Sequence, residues 1–129
     1  MKKILFGGLL TVLFLLTACA VKKVVPKGPC ERFDKTYDIN MCMKEQMDTL
    51  DAEMAKLIKE INSYSEDGGN AFQATQEIWL KYRETQSKYE ASSYEGGTIQ
   101  YSIYAGCYNR LTKQRIEVLK EVLEEVKPH

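Results

Sequence analysis

Three stretches of the chain repeat apolar residues at helical spacing. From Thr36 the apolar positions run Ile39, Met43, Met47, Leu50, Met54, Leu57, Ile61 and Tyr64, at intervals of three and four. Lys44, Glu45, Asp48, Lys56 and Lys59 occupy the other faces. Thr36 offers a hydroxyl cap, and Asp38 complements the dipole in the first turn. Ser65-Glu66-Asp67-Gly68-Gly69 supplies turn residues after it. A second stripe follows: Phe72, Thr75, Trp79, Tyr82, Gln86 and Tyr89, with Asn70 as its cap and Gln73 completing a capping box. The pattern breaks at Gly96-Gly97. The third stripe is Ile99, Ile103, Cys107 and Leu111, then Val118, Leu119, Val122 and Val126, with Arg115 on the stripe and Pro128 ending it. Gly106 leaves open one long helix or two shorter ones. No segment alternates with period two, so the expected fold is all-α: an antiparallel bundle of three main helices, the third kinked or straight.

The beginning of the chain reads differently. Met1-Lys2-Lys3 is a short basic region, and Ile4 to Leu16 is an apolar run of 13 residues, too short for a comfortable membrane span. It closes with Leu16-Thr17-Ala18-Cys19, which resembles the bacterial lipobox that ends in the lipid-bearing cysteine. The organisation expected is therefore a signal peptide over 1–18, a lipidated tether over 19–29 and a helical domain over 30–129. Cys19 is the expected lipid attachment site and the membrane a partner through it. Ala20 in place of an acidic residue fits the outer membrane, with the domain facing the periplasm. Ala20 to Pro29 holds two prolines and a glycine, which deny it a helix.

Composition then narrows the chemistry. Of 129 residues 44% are apolar and 10% aromatic, enough to build a core. Eighteen basic residues balance 18 acidic ones, which argues against a nucleic-acid binder. Lys2 and Lys3 leave with the signal, so the mature domain is acidic by two charges. The one histidine is His129, the last residue, so Ser-His and Cys-His catalytic pairs and histidine metal sites are not expected. No loop carries the alternating pattern of a calcium site, and neither metal nor cofactor is expected. The glutamates of the third helix read as a solvated face. Catalysis is the less favoured reading.

Eight tyrosines in so short a chain are a stronger signal. Tyr89, Tyr94, Tyr101, Tyr104 and Tyr108 cluster in sequence around Gly96-Gly97 and form the candidate binding surface, because tyrosine gives large contact area at low side-chain entropy. Half-buried tyrosine packed in a helical core is the favoured reading of the same residues. Arg83, beside the aromatic stripe, reads as a guanidinium that stacks and bridges helices, with Glu95 at the turn as its candidate partner.

Several of these residues together resemble the lysozyme inhibitor LprI-like family. The resemblance runs from Cys30 to about Leu123. It is carried by Cys30 and Cys42 with Asn40 between them, by Gln76, Trp79, Tyr82, Arg83 and Glu84, and by Glu95-Gly96-Gly97-Thr98, Cys107, Leu111-Thr112 and Arg115. These motif positions read as mainly structural. Two departures stand out. Glu84 replaces the family's aspartate, and Ser87 stands where the family has the cysteine that pairs with the one matching Cys107. Residues 87 and 107 lie ten positions either side of Gly97, so a helical hairpin sets them face to face. Of the three cysteines left after Cys19, Cys30 precedes the first helix and Cys42 lies two turns into it, so a chain folding back can join them and leave Cys107 a buried thiol. Bridges from Cys107 to Cys42 or to Cys30 are the rival pairings.

The resemblance implies inhibition of lysozyme by direct binding; joined to the lipobox and the tyrosine cluster, it gives the expectation of a lipid-anchored envelope protein that binds lysozyme and occludes its cleft with a tyrosine-rich, mildly acidic surface. An envelope interaction or scaffold module without lysozyme activity is the alternative, and a murein-processing accessory enzyme the least supported one. The sequence does not set the oligomeric state.

Overall fold

The structure is a computed structural model, and it describes residues 28–65 and 69–128. The expected signal peptide, Cys19 and nearly all of the tether lie outside the described residues. A single 3-10 turn, Pro29–Arg32, precedes three helices: α1, Thr36–Ser63, α2, Asn70–Ser92, and α3, Gln100–Val126. The described residues are all helical, without strands. α3 is the helix against which both α1 and α2 pack. It runs unbroken through Gly106.

The bundle is graded along its length. At the α1–α2 end lies the apolar core: Met54 and Ile61 from α1 meet Ile116, Leu119 and Leu123 from α3, with Leu50, Leu57, Ile58, Phe72, Trp79 and Val122 packed around them. Each such side chain taken from water stabilises the fold by about 1.5–3 kcal/mol. The middle is polar and ion-paired. The α2–α3 end is aromatic. Cys30 and Cys42 form a disulfide with Cα atoms 5.6 Å apart, which pins the 3-10 turn onto α1, while Cys107 is a buried free thiol. Gln46 adds an amide hydrogen bond to the Cys30 sulfur at 3.1 Å.

Helix ends depart from the expected caps. Thr36 is the first residue of α1 rather than its cap; the cap position is Lys35, with no side-chain hydrogen bond. The cap position of α2 is Gly69, not Asn70. Its φ of +79° is left-handed, and a Cβ there would run into the Asn62 side chain, so the turn requires glycine. Gly96, at φ +71°, is also left-handed, in the turn before α3, whose cap position is Ile99.

The largest departure is the rotation of α2. The expected inward stripe contained Thr75, Tyr82 and Tyr89, yet all three are exposed. The inward face is Gln76, Arg83, Ser87 and Ala91, flanked by the half-buried Phe72 and Trp79. At 100° per residue this face is turned about 90° from the aromatic stripe. Hydrophobicity alone points the wrong way here, because α2 buries polar groups that α1 and α3 satisfy.

Candidate binding surface

Arg83 organises the middle of the bundle. It is only 6% exposed. Its Nη1 donates to Asp51 Oδ1 of α1 at 2.6 Å and to Thr112 Oγ1 of α3 at 2.9 Å. The guanidinium lies 3.7 Å from the Tyr108 ring centroid and 5.2 Å from that of Trp79, so it is held between two aromatic faces. Tyr108 Oη donates to the other oxygen of Asp51 at 2.6 Å. Burial pushes the Tyr108 phenol up to about 12, and the Asp51 hydrogen bond adds to this. The acidic partner of Arg83 is thus Asp51 and not Glu95, which is exposed in the turn. Asp51 was legible only as an acid on the flank of the first apolar stripe, beside Met47 and Met54.

Other motif residues join the same network. Gln76 accepts from Arg115 Nε at 3.0 Å and donates to the Met54 sulfur at 3.5 Å. Arg115 also lies 5.6 Å from the Trp79 ring, and burial lowers its pKa. Asn40 accepts from Ser102 at 2.7 Å, tying the start of α1 to that of α3. Leu111 and Thr112 are buried on α3. Ser87 and Cys107 are both buried and adjacent; Ser87 Oγ donates to the Arg83 carbonyl at 2.8 Å, Arg110 Nη2 donates to the Cys107 sulfur at 3.4 Å, and burial raises the thiol's pKa. In this network each helix satisfies polar groups of the other two, which a buried charge requires.

The tyrosines expected to form one surface separate into four places. Tyr101 and Tyr104 face a shallow cavity of about 470 Å³ at the α2–α3 end, rimmed by Glu84, Lys88, Glu95 and Gln100. Their ring centroids are 6.4 Å apart. Tyr104 continues to Tyr108 at 5.9 Å, but Tyr108 is buried against Asp51 and offers no surface, a correction to the expected cluster. Tyr94 is exposed in the turn, and Tyr89 stands on the outer face of α2, away from the cavity. Tyr101 also borders a second hollow with Tyr37, Asn40, Met41 and Lys44. Sequence reasoning passed over Tyr37 and Met41; their place in the first turns of α1, level with the start of α3, was the available signal.

Glu84 is the electrostatic centre of this end. Tyr104 Oη donates to it at 2.6 Å, and Lys88 pairs with it at 2.9 Å. The Tyr104 hydrogen bond, then Lys88, hold its carboxyl below the usual glutamate range. Burial and the same hydrogen bond hold the Tyr104 phenol well above its ordinary value. The end therefore carries an ionised Glu84, paired with Lys88, beside neutral aromatic rings near neutral pH, with Glu95 as the further acid on the rim. Among the described residues no group of three or more His, Cys, Asp or Glu could hold a metal ion, and no helix is long and apolar enough to cross a membrane.

Fold and site define a disulfide-pinned three-helix bundle with an ion-paired interior and an aromatic, acidic end. The sequence pattern of the lysozyme inhibitor LprI family matches residues 30–119, and the chain belongs to that family. An uncharacterized protein of Rhizobium meliloti (strain 1021) is similar to it, 26% identical over 113 positions that cover 77% of this chain and 81% of the relative. No solved structure matches the chain significantly.

Proposed function

We propose that this protein is a lipid-anchored envelope protein that binds lysozyme and inhibits it by covering the enzyme's cleft. Family membership supports the choice of partner. The observation that carries the choice of surface is the α2–α3 end, where Tyr101 and Tyr104 stand beside Glu84 and Glu95 around the cavity. Lysozymes are basic, and a rigid pair of tyrosines within an acidic rim gives both contact area and charge complementarity. The rings are held by Glu84 and by stacking, so little side-chain entropy is lost on binding. In this reading the protein does no chemistry itself; it excludes substrate.

The lipid anchor rests on the lipobox at Cys19 and places the domain at the outer membrane, facing the periplasm. Cys19→Ser should abolish lipidation; a fatty-acid probe that still labels the variant would refute the anchor. For inhibition, the domain from residue 20 onward is titrated into a muramidase assay, with binding measured in parallel. Tyr101→Ala and Glu95→Lys should each weaken inhibition about tenfold or more, and Glu95→Lys, at an exposed turn position, should do so while leaving the melting temperature unchanged. Absence of binding to several lysozyme types at micromolar concentration would sink the inhibitor reading in favour of an envelope interaction module.

A further inference from the structure

The cavity at the α2–α3 end is sized and charged for one guest side chain. Its volume of about 470 Å³ lies in the lower half of the range for small-ligand sites, enough for one long side chain and too little for a helix or strand. Ala91, among its lining residues, is small and buried, which leaves room between the helices. Tyr101 and Tyr104 contribute two rings tilted 36° to each other. Both are tied by their hydroxyls, Tyr104 to Glu84 and Tyr101 to the Met47 sulfur at 3.8 Å. The rings are therefore placed before a guest arrives, and little freedom is lost when it does.

The charges on the rim decide what the guest is. Glu84 already has two partners, Lys88 and the Tyr104 hydroxyl, and Lys88 is engaged by it in turn. Glu95 is the remaining charge of the lining, and its carboxylate has no hydrogen bond or ion pair among the described residues. A guest that balances the rim brings one positive charge, and a guest that lies on tyrosine faces is flat. A guanidinium is both: its fork pairs with a carboxylate while its plane stacks on an aromatic ring. An ammonium offers the charge without a face to stack. The fold already uses this combination in its interior, where Arg83 lies 3.7 Å from the Tyr108 ring centroid and pairs with Asp51. At the cavity, Tyr101, Tyr104 and Glu95 offer the same two kinds of partner to a cation from outside. We propose that the cavity takes one arginine side chain of the partner, seated on Tyr101 and Tyr104 with its guanidinium against Glu95. The assignment rests on reading this end as the enzyme-binding surface, and it names the residue type that the enzyme presents there.

The full chain, purified in detergent with isotope-labelled tyrosines, provides the test. N-acetyl-arginine amide is titrated in, and the ring resonances of Tyr101 and Tyr104 should shift saturably. N-acetyl-citrulline amide keeps the shape without the charge and should bind at least tenfold more weakly. N-acetyl-lysine amide keeps the charge without the plane and should bind at least threefold more weakly. Glu95→Gln should weaken the arginine probe at least fivefold with the melting temperature unchanged, whereas Glu121→Gln, exposed on α3, should change nothing. The assignment is overturned if the arginine probe gives no saturable shift up to tens of millimolar, if the citrulline or lysine probe binds as well, or if Glu95→Gln has no effect. These failures are separate from failure of the inhibitor reading. A chain that inhibits lysozyme and ignores the arginine probe loses the cavity assignment alone. A chain that binds the probe through Glu95 and binds no lysozyme keeps the assignment and loses the enzyme.

Discussion

Removing the Arg83 guanidinium tests the claim that the middle of the bundle is held by a satisfied buried charge. Arg83→Ala deletes the ion pair to Asp51, the hydrogen bond to Thr112 and the contacts with two aromatic faces. It also leaves a gap between Trp79 and Tyr108. Breaking a buried pair from one side costs about 3–5 kcal/mol. The Asp51 side chain is 40% exposed, so water can take over part of its solvation; the expected loss is therefore at the lower end, roughly 3 kcal/mol. Arg83→Met tells the contributions apart. Methionine also leaves Asp51 without its partner but fills most of the volume, so it should be less damaging than alanine by the packing share, about 1 kcal/mol. Urea unfolding followed by helical circular dichroism gives both values, and equal slopes would show that the unfolded states are alike. A cycle with Asp51→Asn should show non-additivity of about 1–3 kcal/mol, since the two groups touch. The reasoning is wrong if Arg83→Ala loses less than about 1 kcal/mol, or if Arg83→Met is as damaging as Arg83→Ala.

Other consequences can be checked by similar means. Ser87→Cys should form a disulfide with Cys107, because the two side chains already meet in the interior; closing a loop of about 20 residues should add on the order of 3 kcal/mol, and a free thiol count that stays unchanged in the folded variant would refute the contact. Gly106→Ala should stabilise α3 by about 0.5–1 kcal/mol, since a Cβ there meets nothing within 4 Å; a lower melting temperature would mean the site is tighter than it looks. Trp79→Ala should cost roughly 3 kcal/mol, because the ring packs on the apolar core and carries both arginines; near-native stability would mean that it contributes no packing. Tyr108, whose phenol is raised in the fold, contributes stability that is complete below its ordinary value of 10.0 and lost as the pH rises through about 12. Tyr108→Phe should flatten the alkaline limb of a stability profile, and an unchanged limb would show that another group governs it.

The sequence by itself determined the helices and the points where the chain turns. Apolar residues every three or four positions, with Gly69 and Gly96-Gly97 between them, leave no other regular structure for residues 36 to 126. The inward face of α3 was legible in part: Cys107, Leu111 and Leu119 are buried as their spacing predicts, whereas Ile99, Val118 and Val126 are exposed and Ile116 and Leu123, absent from the stripe, enter the core. The meeting of residues 87 and 107 was implied by the family's paired cysteines and agreed with hairpin symmetry about Gly97. What only the tertiary structure decided is how α2 is turned. An isolated amphipathic helix buries its aromatic residues, and by that rule Tyr82 and Tyr89 belonged inside. α1 supplies Asp51 and α3 supplies Thr112 and Tyr108, so the Arg83 Nη1 is ion-paired and hydrogen-bonded and its plane lies on an aromatic ring, although its buried Nε has no partner among the described residues, and the helix rotates to place it there. Partners separated from Arg83 by 32 and 29 residues leave no local trace in a periodic pattern. The same rotation moved Tyr89 away from the cavity and buried Tyr108, so the surface drawn from neighbouring tyrosines in the sequence reduced to Tyr101 and Tyr104. Sequence proximity could not separate them, because burial on a helix changes every one or two residues while a cluster spans several turns.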